Sequence, residues 1–390
     1  LEVLKRDGIT HVEPQGKIAS LGLTPAEFRQ VCKDVGVDLR MLRHQVGENE
    51  FHTDTAYKIA GKDLTAVPLG PYKDDPEGWN KLDNDARERI WAGIGEEAQR
   101  RLYTEKMRAD LLGRKPGQGA APFDENKDFG RDVNLGMDVC GREGKPFTEE
   151  GMKNLEVMFE VVKALAKEQG GKMVYRPHVG EGYSETEKAR HEGSKPARGD
   201  DNYIDRPAKK GDPASDIGRH NLAHVLDRIQ KLADSGAYVP GGDVIIRLGH
   251  VTQCTPEQAR QMKDLKIIAE VNLTSNLVTG VTPHDPDNPT ESRKDRLQNH
   301  PLLELMAEGV DVALSTDAHS VMNTTLTKEY RKAENMIKAF TRKDSELTIR
   351  HDGKDCTFAQ LPPEVQKHFS IQRLHEATQR YRQQIVADDK

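Results

Sequence analysis

The feature that most constrains the fold is an alternation of apolar runs and amphipathic segments from about residue 131 onward. The runs have the length of buried strands, and they read "DVNLGMDVC", "MVYR", "DVIIRLGH", "KIIAEVNL" and "VDVALSTD". The segments between them place apolar residues at the i, i+3, i+4, i+7 spacing of helices that bury one face. Strands that alternate with helices through short turns predict an α/β protein with a parallel sheet.

Local signals predict where individual helices begin and end. Thr24-Pro25 opens a helix, and Thr255-Pro256-Glu257-Gln258 has the pattern of a capping box with proline at the first helical position. The segment "LDNDARERIWAGIGEEAQRRLYTEKMRADLLG" predicts a helix that stops at Gly113.

The alternation predicts either a (β/α)8 TIM barrel or a doubly wound sheet over residues 1–345, with helical and loop additions. Residues 70–130 form a helical and loop insertion, and residues 183–218 form a long polar insertion that is a candidate lid. Residues 346–390 are predicted to be a helical extension packed on the barrel. A doubly wound sheet is the structural alternative, because only about two-thirds of the eight barrel strands are visible in the sequence. No GxGxxG or Walker A motif follows the early strands, which argues against dinucleotide and P-loop folds.

Composition excludes several classes of partner. The net charge of −6 predicts no binding to nucleic acid or to an anionic membrane, and no apolar run reaches the ~20 residues of a membrane span. The four cysteines are widely spaced, which fits reduced thiols at a cytoplasmic site of action. The chain starts at Leu1 and shows no signal peptide, so we expect a mature or excised piece of a larger protein.

Metal-binding and acid–base residue types gather where the predicted strands end. His178 and Glu181 follow one strand, His250 ends the next, and Asp317 ends a later one. In a parallel barrel these side chains project over the carboxyl-terminal face, where active sites lie. Histidine, glutamate and aspartate at several strand ends therefore predict a catalytic divalent metal site.

The same segments, taken in order, resemble the adenosine deaminase family of metal-dependent amidohydrolases. The chain has "HVGEG", "RLGHVTQ", "EVNLTSNLVTG" and "HPLLELMAEGVDVALSTDAH", followed by "TTLTKEY". The family shows HAGE, R-[IL]-G-H-G, E-x-C-P-x-S-N and an HP segment that leads to T-D-D-P, with L-x-x-EY soon after. The resemblance covers about residues 131–340 and implies a (β/α)8 TIM barrel of the metal-dependent hydrolase type.

Near the amino terminus, "HVEPQG" is the counterpart of the family's H-x-H-[LF]-[DN]-G motif. His11 falls at the first histidine and Glu13 at the second, and a carboxylate is also a zinc ligand. The resemblance therefore implies one Zn²⁺ held by His11, Glu13, His178 and Asp317.

The resemblance also implies the roles of individual residues. Glu181 would give a proton to the ring nitrogen beside the attacked carbon, and His250 would orient and deprotonate the attacking water. Asp317 would bind the metal and accept a hydrogen bond from that water. The predicted substrate-binding residues are Gly141, Gln15, Gly180 and His319, and Glu270 would support the site from behind the ligands.

Two departures from the family pattern concern the substrate. Ala318 stands where the family's second aspartate contacts the purine, and Gln15 stands where an acidic or amide residue reaches the ribose 5′ hydroxyl. The expected reaction is zinc-dependent conversion of an adenine nucleoside or nucleotide to its inosine counterpart and ammonia. Loss of negative charge near the 5′ end favours AMP, ADP or ATP.

Three alternatives stay open from the sequence. The chain could be a metal-dependent amidohydrolase that acts on another amino-heterocycle or an amide. It could be a non-catalytic descendant that binds a nucleotide, which Glu13 and Ala318 would favour. It could also be the deaminase effector or toxin module of a larger secreted protein. In each case the predicted partner is a small molecule, and the oligomeric state is not predicted.

Overall fold

In a computed structural model of the chain, the part of the protein described below comprises residues 11–13, 15–16, 23–36, 38–46, 70–72, 74–114, 118–125, 127–140, 147, 149–180, 217–279, 282, 297–317 and 322–386. These residues fall into two compact units. The first lies within Leu1–Gly141 and Thr148–Arg176, and the second within Arg142–Phe147 and Pro177–Val386.

The first unit contains short parallel strands and a group of helices. Its strands are β1 (His11–Val12), β2 (Gln15–Gly16), β3 (Asp38–Leu39), β4 (Met41–Val46), β5 (Asn134–Cys140) and the start of β6 (Met173–Val179). Its helices are α1 (Pro25–Val35), α2 (Pro76–Asn80), α3 (Asn84–Gly93), α4 (Glu96–Leu112) and α5 (Glu149–Gln169). Strand β1 pairs in parallel with β3, and β4 pairs in parallel with both β2 and β5.

Sequence signals account for the helix boundaries of this unit. Thr24 caps α1 through a reciprocal capping box with Glu27, and Gly36 ends the helix in the left-handed conformation. The predicted helix that stops at Gly113 is present as two helices, because the chain leaves the helical conformation at Gly95, where φ is −64° and ψ is 157°. Glycine carries no side chain to stabilise a continuous helix at that point.

The strands of the first unit bury charge as well as apolar surface. Arg176 on β6 binds Asp138 on β5, and both side chains are almost wholly excluded from solvent. A buried guanidinium and carboxylate each need the other, since removal of one leaves an uncompensated charge in the interior. The apolar core between α1 and the strands is formed by Phe28, Leu39, Met41, Phe129 and Val133.

The second unit continues the alternation of strand and helix. It contains the end of β6, α6 (Ile217–Asp234), β7 (Val244–His250), α7 (Pro256–Asp264), β8 (Ile268–Val271), α8 (Leu273–Thr279), α9 (Leu302–Glu308), β9 (Val312–Leu314) and α10 (Leu326–Thr341). An antiparallel hairpin, β10 (Ile349–His351) and β11 (Lys354–Cys356), precedes α11 (Pro363–Gln366) and α12 (Ile371–Val386). The Thr255 capping box with Gln258 opens α7 as the sequence predicts.

Strand register brings the carboxyl ends of three strands to one edge. β7 pairs in parallel with β8, and β8 pairs in parallel with β9. Gly249 lies opposite Glu270, and Glu270 lies opposite Ala313. His250, which ends β7, and Asp317, which follows β9, therefore lie at the same edge of the sheet.

The α/β class and the parallel strand pairing are thus confirmed, and the alternation is compatible with a TIM-barrel-like fold. Within the described ranges a complete eight-stranded barrel is not established. The domain boundary at residue 345 stays a prediction. The polar insertion 183–218 lies outside the described residues up to residue 216, and its last two residues begin α6. None of the described helices has the length and apolarity that crossing a membrane requires.

Glu304, in the first turn of α9, predicts a pH dependence of stability. Burial raises the pKa of Glu304 from 4.5 to about 7, an effect only partly offset by a hydrogen bond from its own backbone. The folded state then binds this proton more tightly than the unfolded state, so stability falls as pH rises from 4.5 to 7. Glu304→Gln should raise the free energy of unfolding by about 1–3 kcal/mol at pH 8 and by less at pH 5.

Urea unfolding of both proteins at the two pH values measures the difference. Glu364→Gln is a matched control, because Glu364 also lies in the first turn of a helix but is exposed. An equal gain at both pH values, or the same gain from the control, would show that Glu304 is ionised at little cost.

Candidate active site

His250 sits at the centre of a tight turn that ends β7. The N–H of Val251 donates to the carbonyl of Gly249 at 2.9 Å, and His250 has a φ of +68°. A three-residue turn with positive φ at its central residue is rare and strained. Val251 follows with a φ of +46°, which is unusual for a β-branched residue. Such strain persists only where the surroundings hold it, and it concentrates at functional sites.

The end of β6 and the residue that follows it supply part of that support. Val251 N–H also donates to the Val179 carbonyl at 3.0 Å, and the Thr252 hydroxyl donates to the Gly180 carbonyl. Gly180 has a φ of +82°, and a Cβ there would lie 3.1 Å from Val251 Cα. The glycine that follows His178 in "HVGEG" is therefore required both by its conformation and by the close approach of the next turn.

Four buried side chains form a continuous chain of contacts. His178 Nδ1 lies 3.1 Å from His250 Nε2, and His250 Nδ1 lies 2.9 Å from Asn276 Oδ1. Asn276 Nδ2 lies 3.2 Å from His300 Nε2. All four side chains are shielded from solvent, His250 to 1% exposure and Asn276 and His300 to 0%. This group is called the imidazole chain below.

Helix α8 holds two of the residues that face this edge. Asn276 belongs to the imidazole chain, and the hydroxyl of its neighbour Ser275 donates to Asp317 Oδ2 at 2.6 Å. Asp317 also has a positive φ, +52°. Glu329 of α10 anchors the start of α8, because its buried carboxylate accepts the Thr274 N–H at 2.9 Å. A carboxylate at a helix amino terminus satisfies a donor that has no partner within the helix.

Glu270, the predicted supporting residue, forms a buried ion pair below this edge. Its Oε2 lies 2.8 Å from Arg247 Nε. Arg247 also donates to the Tyr381 hydroxyl at 2.8 Å and lies over the Tyr381 ring at 4.9 Å. The pair ties β7, β8 and α12 together, which places Glu270 in a structural network of the second unit.

His11 and Glu13 lie in the first unit, where they contact each other. His11 Nε2 is 2.8 Å from Glu13 and its Nδ1 is 2.8 Å from Asp38. Burial lowers the pKa of His11, but the hydrogen bonds and charges of Asp38 and Glu13 outweigh this and raise it to about 9. Burial likewise raises the pKa of Asp38, and hydrogen bonds with His11 and Arg40 bring it down to about 2. A carboxylate on the second nitrogen of an imidazole is the usual support of a metal ligand.

The predicted zinc ligands thus divide between the units, with His178 and Asp317 in the second. Among the described residues, no three His, Cys, Asp or Glu side chains converge closely enough to hold a metal. The donor types present, imidazole nitrogen and carboxylate oxygen, are nevertheless those that zinc takes. Glu181, Gly141 and His319, together with Ala318, lie outside the described residues. Gln15 is described only in its backbone, as part of β2.

Sequence reasoning missed the partners that hold the predicted residues. Asn276 and His300 both occur in the segments that carry the resemblance, and this position was the only sequence signal that could have identified them as site residues. Their contacts join residues 24 positions apart, which no local pattern encodes. Asp38 belongs to none of the sequence motifs, and only the parallel pairing of β1 with β3 places it beside His11.

Comparison with known proteins gives partial matches to adenosine deaminases. The chain is 36% identical over 84 residues to an adenosine deaminase-like protein of Drosophila melanogaster, covering 22% of this chain and 21% of that protein. It is 38% identical over 89 residues to an adenosine deaminase of Streptococcus mutans, covering 22% of each chain. It is 32% identical over 88 residues to an adenosine deaminase of Enterococcus faecalis, covering 22% and 23%.

The matched part thus spans only about a fifth of the length of these curated relatives. No protein-family model matches the chain. The matches indicate at most a distant relationship to adenosine deaminases.

Gly180→Ala tests the support of the His250 turn. The new methyl group would meet Val251 at 3.1 Å while the backbone keeps a φ of +82°, so we expect a loss of about 1–3 kcal/mol in the free energy of unfolding. Denaturant unfolding measures this. Gly236→Ala is the control, because Gly236 has a similar φ of +74° and nothing within 4 Å of an added Cβ. Equal losses in both variants would mean that backbone strain alone, without close packing at Gly180, explains the effect.

Proposed function

We propose that the chain is a hydrolytic deaminase that acts on an adenine nucleoside or nucleotide and releases ammonia. The observation that carries the proposal is the buried contact of His178 with His250 at the strand edge, in a backbone strained at His250. A histidine with a purely structural role needs a hydrogen-bond partner for each ring nitrogen, but that role does not require a strained, left-handed backbone conformation. The partial identity to adenosine deaminases supports the same reaction class.

The proposal includes a bound zinc ion. His178 and Asp317 would hold it in the second unit, while His11 and Glu13 remain predicted ligands from the resemblance alone. When bound, the ion would lower the pKa of a water molecule to about 7 and so make hydroxide available at neutral pH.

The remaining chemistry belongs to the chain itself. His250 orients the attacking water, since the turn at the end of β7 fixes its backbone. Asp317 would accept a hydrogen bond from the water, and the Ser275 hydroxyl on Oδ2 holds that carboxylate in place. Glu181 would protonate the ring nitrogen beside the attacked carbon, so that the amine can leave as ammonia.

The proposed substrate preference rests on two residues of the sequence. Gln15 carries no negative charge where the family pattern has an acidic or amide residue near the ribose 5′ hydroxyl. A neutral side chain there would not repel a 5′ phosphate. Ala318 removes a second carboxylate beside Asp317, which would relax the contact with the purine base. Phosphorylated adenosine is therefore the proposed substrate, with another amino-heterocycle as the second candidate.

An ammonia-release assay on adenosine, AMP, ADP and ATP, with cytidine and a pterin as further substrates, tests the reaction and the preference. Glu181→Gln should lower kcat by about 10²–10⁴-fold on every active substrate, because the amide cannot donate a proton from an acidic oxygen. Glu185→Gln is the control, since it removes a nearby glutamate outside the motif. Full activity of Glu181→Gln would refute the assigned proton donor, and a clear preference for free adenosine would refute the phosphorylated substrate.

Metal analysis tests the zinc proposal separately. The purified chain should contain about one zinc ion, chelation should abolish ammonia release, and added zinc should restore it. Asp317→Ala should lower the zinc content, whereas Asp311→Ala, a variant at an aspartate that pairs with Arg380 instead, should not. Undiminished turnover by metal-free protein would exclude the metal from the reaction.

A further inference from the structure

We propose that Lys263 and Lys266, at the amino-terminal edge of the sheet in the second unit, form an anion-binding site that takes a phosphate group. This edge is opposite to the one that carries the candidate active site. Val244 and His250 are the first and last of the seven residues of β7, which puts about 20 Å between the two edges. The inference does not depend on the proposed function.

A cavity of about 170 Å³ opens where β7, β8 and β9 begin, and it is called the lysine cavity below. The residues that line it include Lys263, Lys266, Gly241, Asp311 and Gln384. Its volume lies below the roughly 300–1,000 Å³ of pockets that enclose drug-sized molecules, so it suits a small ion or a single charged group.

Positive charge gathers on one side of the lysine cavity, around Gly309. A Cβ added to Gly309 would lie 3.2 Å from His368, 3.5 Å from Arg373 and 3.6 Å from Lys263. Burial lowers the pKa of His368, and the charges of Arg373 and Lys263 lower it further, although hydrogen bonds to carbonyl groups oppose this. Surroundings that disfavour a charged imidazole favour an anion.

The two lysines have no carboxylate partner in the part of the chain that the structure describes. Asp311 contributes a carboxylate to the lysine cavity, but its Oδ1 lies 2.6 Å from Arg380 and is paired with that residue. The ammonium groups of Lys263 and Lys266 therefore face the cavity without a neutralising group from the described residues.

The lysines are also not needed to cap α7, which ends beside the cavity. Basic side chains often satisfy the free carbonyl groups at the end of a helix. Here the Met262 carbonyl accepts from the Ile267 N–H at 2.8 Å. The Leu265 carbonyl accepts from the Tyr238 hydroxyl, also at 2.8 Å. Because these acceptors already have donors, the ammonium groups remain available for a ligand.

The backbone of Lys266 supports a role for its side chain. Lys266 follows the end of α7 with a φ of +52°, in the left-handed region. Glycine is the usual residue at such a position, because it lacks the Cβ that makes this conformation costly. The side chain lies over Gly241, where an added Cβ would be 3.3 Å from Lys266 Cδ and 3.4 Å from Nζ. A lysine where glycine fits better indicates that its ammonium group is used.

Two ammonium groups at one small cavity match the chemistry of a phosphate group. Lysine binds phosphate as a compact charge with three N–H donors. A phosphate group carries a charge of about −1.5 to −2 at pH 7, which two lysines would balance. The group has two possible sources, free inorganic phosphate and a phosphate monoester such as AMP, whose remaining atoms would lie outside the cavity.

Lysine-selective nitrogen-15 labelling of the full chain tests the site by NMR. Inorganic phosphate, titrated at constant ionic strength, should shift the amide signals of Lys263 and Lys266 until they saturate, whereas chloride should not. The signals are identified by their loss in Lys263→Gln and Lys266→Gly. Shifts that do not saturate, or equal shifts with chloride, would overturn the proposal.

The same two variants measure what each ammonium group contributes, because each keeps the signal of the other lysine. Each should raise the Kd for inorganic phosphate by at least about tenfold, since a charged hydrogen bond is lost. Lys338→Gln is the control, because it removes the same charge from α10, where Lys338 pairs with Glu334. Its Kd should stay within about twofold, and an equal loss there would show that net charge alone explains the binding.

Lys266→Gly further separates binding from folding. Glycine relieves the left-handed strain, so the urea midpoint measured without phosphate should be no lower than that of the unaltered protein. A lower midpoint would show that the Lys266 side chain serves the fold, which would overturn its assignment to a ligand.

A parallel titration with AMP distinguishes the two sources of the phosphate group. Saturable shifts of the two lysine signals by AMP would support a monoester as the ligand, and shifts by inorganic phosphate alone would support the free ion. AMP held at the candidate active site would be about 20 Å away and should leave these signals in place. No shift with either probe would refute the site.

Discussion

The three imidazole rings of the imidazole chain are buried, and their need for hydrogen-bond partners organises the edge of the sheet around His250. A buried polar atom without a hydrogen bond costs about 1–3 kcal/mol, so the rings cannot rotate independently. His178, His250 and His300 come from three separate segments, and the Asn276 amide joins two of them. The positions of β6, β7, α8 and α9 in the second unit are therefore coupled through four side chains.

Two residues at this edge have a strained backbone, and contacts with neighbouring segments hold each of them in place. His250 and Asp317 both have a positive φ. This conformation is unfavourable for a residue other than glycine, so contacts with neighbouring segments must maintain it. The turn at His250 is held by β6 and Gly180, and Asp317 is held by Ser275 of α8. Glu329 in turn fixes the start of α8, so a helix of the next layer determines where the carboxylate lies.

Local sequence patterns predicted the structural features that depend only on residues close together in the chain. The capping boxes at Thr24 and Thr255 and the strand that ends at His250 are of this kind, because periodicity and caps act within a few residues. The break at Gly95 was missed although Gly93 stands two residues before it, because the segments on both sides have helical composition. Asp38 and His300 were missed because their roles arise only when distant segments pack, and strand-end residues alone do not show which side chain supports which.

The segment "HVGEG" illustrates how the two levels combine. From sequence, its histidine and glutamate suggest a metal ligand and a proton donor, and its glycines are only signs of a turn. In the structure, Gly180 is the residue that lets the His250 turn approach, and His178 is where the imidazole chain ends. Because the imidazole chain continues through Asn276 to His300, a motif that looks self-contained is connected to a residue more than a hundred positions away in the sequence. Substitutions at His300 or Asn276 therefore reach the proposed chemistry through His250, although neither residue is assigned a contact with the substrate.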